Sequence, residues 1–305
     1  MKASMWTIAG VVVLGVILAS IISVEGGYLM DDELDRVKAL IAPVLDSVNL
    51  DEGISGLNPL KSKTWVQPYT NEHIAREQEH LGISIADETP VENVLAYVSF
   101  SFDDNIPEHL SVIAPILAEH NMSATRYYIT GQPNYTECKV LRDVYGWEIG
   151  AHTRTRPDLT AIPIELVYAE LQGCKEDFAE NGIDVKTFAA PYVETNQNVT
   201  EVVKRFFNSS RSSWGVNYPP FDPYHIGLYS INNRDNPHIP TILAVIDSLK
   251  ESHGWIVFMG HHVDYTGNDY STDESFFRDL VRLVAEDHEL KVVTISEALE
   301  EGLSA

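Results

Sequence analysis

Two cysteines in 305 residues are too few for a disulfide framework or a cysteine-rich zinc module. Cys138 and Cys174 have no Cys or His at close ligand spacing, so they are either one disulfide in an oxidising compartment or two buried thiols. Basic residues are also scarce. The chain has 21 Lys and Arg against 45 Asp and Glu, a net charge of −24. That argues against nucleic acid or anionic membrane as a binding surface. It suits a soluble body in a salty or extracellular medium. Internal repeats and low-complexity tracts are absent. Long apolar runs are absent too, with a single exception at the start of the chain.

That exception is residues 6–24, which carry no charge. At about 1.5 Å per residue they just reach across a bilayer core of about 30 Å. Lys2 precedes the run, and Asp31, Asp32 and Glu33 follow it. The asymmetry places the N-terminus in the cytoplasm and the remainder outside. A cleaved signal peptide is the competing reading, although no Ala-x-Ala site follows. The expected protein is therefore membrane-anchored with its domain outside the cytoplasm, or secreted. Sequons at Asn121, Asn134, Asn198 and Asn208 fit export, but such triplets also arise by chance.

Beyond the run, 31–50 has apolar residues at helical spacing (Leu34, Val37, Leu40, Ile41, Val44, Leu45, Val48), and 51–90 reads as linker. The expected organisation is an anchor or signal at 1–27, a helical stalk at 28–92 and a catalytic-type domain at 93–302. Within that domain, strands are expected at 94–102, 123–129, 147–151, 185–190, 209–213, 255–260 and 291–294. Helices are expected at 107–120, 136–145, 161–181, 197–207, 239–253 and 274–288. Strand–helix alternation at this spacing implies an α/β fold with parallel strands and crossover helices. It does not separate an open sheet from a barrel.

Four apolar runs end in polar chemistry. Leu95–Phe102 runs into Asp103 and Asp104, and Gly146–Ala151 runs into His152. Thr187–Pro191 runs into Tyr192, and Gly254–Gly260 runs into His261 and His262. In parallel α/β folds the C-terminal lips of strands are where ligands bind. Adjacent aspartates repel unless a cation divides their work, for example as one metal-binding carboxylate beside one proton acceptor.

The order of these motifs resembles the polysaccharide deacetylase family, the NodB-homology domain of carbohydrate esterase family 4, over roughly 93–302. Family members read Thr-Phe-Asp-Asp-Gly, then His-Ser/Thr-x-x-His-Pro, then Arg-x-Pro-Tyr or Phe-Ala-Tyr-Pro-Tyr, then a late Leu-x-His or His-His strand end. The resemblance implies a distorted, incomplete (β/α) barrel. It also implies a metal-dependent hydrolase that removes N-acetyl groups from a polysaccharide, oligosaccharide or related amide. Carried over by position, Asp103 is the general base and Asp104 and His152 are metal ligands. His261 is the general acid, with His262 as its rival, and the Tyr192 backbone N–H helps hold the oxyanion. The implied cofactor is one divalent metal, expected to be zinc. Asp222 is a candidate to orient the late histidine. Trp214, Tyr218 and Phe221 are candidates for a sugar-stacking wall, or else pack the core.

Three departures stand out. Asn105 replaces the glycine of the first motif, which is mild because Asn tolerates left-handed backbone. Ala189 replaces the arginine that opens the third motif in many members. Arg156 replaces the second histidine of the His-x-x-x-His pair, and arginine cannot ligate a cation. The alternative is therefore a catalytically weak or inactive surface carbohydrate-binding protein. In it Arg156 could pair with Asp103 or Asp104, unless His262, His225 or Glu194 completes the metal site.

Overall fold

A computed structural model of the chain describes residues 94–131 and 134–302. The expected anchor at 6–24 and stalk at 28–92 lie outside the described residues. Among the described residues no helix is long and apolar enough to cross a membrane.

The seven expected strands are present in the main sheet, joined there by an eighth, Ile226–Ser230, that the pattern does not predict. They are β1 (Ala96–Asp103), β2 (Thr125–Tyr128), β3 (Glu148–Ala151), β4 (Thr187–Ala189), β5 (Ser209–Trp214), β6 (Ile226–Ser230), β7 (Trp255–Gly260) and, later in the chain, β10 (Leu290–Val292). A small ribbon of β8 (His262–Asp264) and β9 (Ser271–Asp273) lies beside them. The helices are α1 (Ala114–Ala118, entered through a π-helical turn at His109–Ile113), α2 (Tyr135–Asp143), α3 (Ile164–Glu180), α4 (Gln197–Val203), α5 (Ile239–Ser252), α6 (Glu274–Glu286) and α7 (Ile295–Gly302).

Strands β1 to β7 pair in sequence order, all parallel, and β1 pairs back to β7 to close the ring. The barrel expected to be incomplete is thus closed, with seven strands. Its distortion sits at the β1–β2 seam. There β2 pairs with only the end of β1, Ser101 to Asp103, while β10 pairs with its beginning, Ala96 to Val98.

Side chains alternate along each strand, so each strand has an inner and an outer face. On β1 the residues Val98, Phe100 and Phe102 face the helices and join the larger core. Ser99 and Ser101 turn the other way and donate to the Val293 and Phe258 carbonyls at 2.6 and 2.7 Å. Phe102 stacks on Trp147 at 5.8 Å and meets Phe277 edge-on at 5.9 Å. Burying such a ring stabilises the fold by about 1.5–3 kcal/mol. On β7 Ile256 and Phe258 face outward, whereas Trp255 and Val257 join the second core, with Tyr127, Ala189 and the helix α7 residues Ala298 and Leu299.

The interior is crowded enough to require glycine at Gly150, where a Cβ would lie 2.6 Å from the Tyr127 ring and 2.7 Å from Thr187 Oγ1. Phe221 is buried in this second core against Trp255, at 5.4 Å between centroids, so it is not part of a sugar-stacking wall. Cys138 on α2 and Cys174 on α3 are both free and buried, which decides for two thiols over a disulfide. Burial pushes each thiol up to about 12.

Candidate active site

Strand parity delivers the site. Asp103 follows Ser99 and Ser101 on the inner face of β1. His152 follows Glu148 and Gly150 from β3. His261 follows Trp255, Val257 and Met259 from β7. The same parity sends His262 outward, where its half-exposed ring lies 3.6 Å from Glu108. The structure therefore separates the two adjacent histidines, with His261 beside the aspartates and His262 away from them.

Asp103 is buried and ion-pairs with Arg211, a side chain the sequence reading passed over. Burial alone would raise its carboxyl, but the charges of Arg211, His152 and His261 and the Arg211 hydrogen bond hold it at about 2. Arg211 is itself buried and lies over the Tyr127 ring at 4.9 Å. Ala189 is its register partner on the neighbouring strand. The guanidinium absent from the third motif is thus supplied one strand later, at the same height in the barrel. The signal was available: a motif without its arginine, and Arg211 set among serines in Ser209–Trp214.

His152 Nδ1 meets the Ala189 carbonyl at 2.9 Å, which turns Nε2 toward Asp104 Oδ1 at 3.7 Å. Burial lowers the His152 pKa, against the opposing pull of Asp103 and Asp104. His261 Nδ1 meets Asn232 Oδ1 at 3.3 Å, and burial lowers its pKa as well. Asp222 does not orient this histidine. It sits half-exposed and bonds His225 Nδ1 at 2.9 Å. Asn232 takes the orienting place, and it follows a strand, β6, that the sequence reading did not anticipate.

Arg156 reaches Asp104. Its Nε lies 2.6 Å from Asp104 Oδ1, and its Cζ lies 4.7 Å from the centre of the Tyr192 ring. The Tyr192 hydroxyl donates to the Arg156 carbonyl at 3.4 Å. Glu170 on α3 clamps the loop before Arg156 by accepting from the Arg154 and Thr155 backbone N–H groups at 3.0 and 2.8 Å and from the Thr155 hydroxyl at 2.7 Å. Five non-glycine residues around the site have left-handed backbone: Asp104 (φ 71), Thr153 (φ 66), Arg156 (φ 61), Tyr192 (φ 60) and Val193 (φ 64). Such conformations persist where the surroundings over-determine them, and they cluster at functional sites.

The residues do not fit a metal. A catalytic zinc takes three protein ligands. Here Asp104 and His152 supply two donors, and the third position carries a cation already paired to the carboxylate. Among the described residues no three His, Cys, Asp or Glu side chains come together in a way that could hold a metal ion. His225 is bonded to Asp222, and neither His262 nor Glu194 completes a set of three. Asp104 Oδ1, His152 Nε2 and Arg156 Nε are all buried without a well-formed hydrogen bond. The Arg156–Asp104 ion pair brings opposite charges together there but is no substitute for a ligand set. The barrel end thus offers two imidazoles, two arginine–aspartate pairs and an exposed tyrosine. Groups of this kind are suited to binding and orienting polar ligands. A carboxylate held at about 2 is a weak proton acceptor near neutral pH.

Residues 94–206 match the family model for polysaccharide deacetylases. Among solved structures, a putative polysaccharide deacetylase from Mycobacterium smegmatis matches with a TM-score of 0.52 at 14% identity, over 72% of this chain and 94% of that one. A family 4 carbohydrate esterase from Streptomyces lividans, solved with acetate, matches with a TM-score of 0.48 at 18% identity, over 65% and 91%. A family 4 pseudoenzyme from Bacillus anthracis matches with a TM-score of 0.49 at 20% identity, over 69% and 66%. The first of these shares the fold, and at such identities the likeness carries no activity across. No curated protein matches the chain.

Proposed function

Taking as premise that this chain carries a polysaccharide deacetylase domain, we propose that it recognises N-acetylated polysaccharide or oligosaccharide without hydrolysing it efficiently. The observation that carries this reading is the 2.6 Å contact between Arg156 Nε and Asp104 Oδ1. Hydrolysis in this family needs a metal-activated water and a general base. In this chain a guanidinium pairs with the carboxylate expected to hold the metal. The same barrel end still offers hydrogen-bond donors and acceptors beside Tyr192, which is 55% exposed.

The second reading is a metal-dependent deacetylase, with zinc on Asp104 and His152, Asp103 as base and His261 as acid. What favours it is that Asp103 lies within electrostatic reach of both His152 and His261. Calorimetry with N-acetylated oligosaccharides, run beside an acetate-release assay with added zinc, separates the two. Binding without acetate release is the expected result. Sustained acetate release from the unaltered chain would replace the first reading by the second.

The proposal extends to location. Residues 6–24 hold the chain at a membrane with the domain outside the cytoplasm, on the strength of the uncharged run, Lys2 before it and the acids after it. Protease added to intact cells should digest the domain. A domain that stays protected and soluble in the cytosol would contradict this placement.

A further inference from the structure

Arg156 has a second face. Its Nε edge is engaged by Asp104 at 2.6 Å, while its backbone N–H is held by the Thr153 hydroxyl at 2.8 Å. Among the described residues no hydrogen bond engages either Nη nitrogen. The Arg156 guanidinium carbon lies 4.7 Å from the centre of the Tyr192 ring, and the side chain is 26% exposed. A guanidinium carries five donors in a rigid fork, and its Nη–Nη edge matches the two oxygens of a carboxylate. Lysine cannot offer that match.

The charges around it permit an anion. Asp103 is matched by Arg211 and Asp104 by Arg156 itself. His152 and His261 complete the inner wall. Two aspartates are thus balanced by two arginines, and the site is not a negative well, although the chain as a whole carries −24. A metal site built from one carboxylate and two imidazoles has no such fork.

We propose that Arg156 reads a carboxylate, and that the ligand class is an N-acetylated sugar which also bears a carboxylate group. This rests on the saccharide-binding reading above. Asp104 holds one edge of the fork, and the ligand's carboxylate takes the free edge.

The test titrates N-acetylmuramic acid, its methyl ester and N-acetylglucosamine into the full chain and into Arg156→Lys by calorimetry. The three sugars share the ring and the acetamido group, and only the first carries a negative charge. The acid should bind at least about tenfold more tightly than the ester or N-acetylglucosamine, as a charge-assisted bidentate contact implies. Arg156→Lys should lose most of that preference and keep its thermal transition. Equal affinity for all three sugars would overturn the inference and leave the saccharide reading standing. An acid preference undiminished in Arg156→Lys would mean that another group reads the carboxylate, and would also overturn it. No binding of any of the three, together with none of N-acetylated oligosaccharides, would remove both.

Discussion

Asp103 is where a single residue's chemistry shows in the whole protein's stability. Its folded-state pKa of about 2 lies below the ordinary 3.8, because Arg211, His152 and His261 overcome the opposing effect of burial. A lowered carboxylate pKa stabilises the fold above the unfolded-state pKa. That stabilisation is lost as pH falls from about 4 through about 2. The shift corresponds to roughly 2 kcal/mol. Asp103→Asn removes the titrating group and leaves Arg211 facing a neutral amide, so it lowers stability chiefly above about pH 4, where the native carboxylate is charged. The informative quantity is the slope. Denaturant unfolding between about pH 5 and pH 2 should show the unaltered protein losing roughly 2 kcal/mol more than Asp103→Asn. Parallel losses would mean that Asp103 is not paired in the folded state. Arg156 acts at the same scale by a different route. It removes a donor from the metal position and puts a positive charge beside Asp104, and both changes oppose a cation there.

At the scale of elements, the strands carry the argument and also mark where the sequence was legible. Apolar runs ending in Asp103, His152 and His261 were readable because each strand is buried on both faces and stops at a polar residue. The choice of His261 over His262 was legible as well, since counting in twos from Trp255 reaches His261 on the inner face. Arg211 needed two strands in register, Ala189 beside Arg211, and pairing of that kind is not written in either strand alone. Strand β6 was missed because Ile226–Ser230 is short and contains Gly227. The glycine is structural. A Cβ there would lie 2.9 Å from the Gly215 carbonyl, where the chain passes close against the strand. Asn232 was lost along with β6, and Asp222 was credited with its role. The far end of the barrel shows the same logic. Glu148, on the inner face of β3, accepts from Thr125 Oγ1 at 3.0 Å and from the backbone N–H and hydroxyl of Ser296 at 3.1 and 2.5 Å. The two Ser296 bonds seat helix α7 beneath the barrel, and they join positions 148 residues apart, a separation at which local pattern is silent.

For the whole molecule, the fold and the chemistry point in different directions. The ring of seven parallel strands gathers two aspartates and two histidines at one end, as a polysaccharide deacetylase would need them. One residue, Arg156, puts a cation where the third ligand would stand, and on the reading proposed above the strand-borne groups around it serve recognition. The most direct test is zinc stoichiometry after equilibrium dialysis of the unaltered chain and of Arg156→His, measured by elemental analysis. The unaltered chain should retain well below one zinc, and Arg156→His should retain about one, the count expected once a third ligand returns. Acetate release from N-acetylated oligosaccharide should appear with that zinc. About one tightly held zinc on the unaltered chain, unchanged by the substitution, would contradict the account.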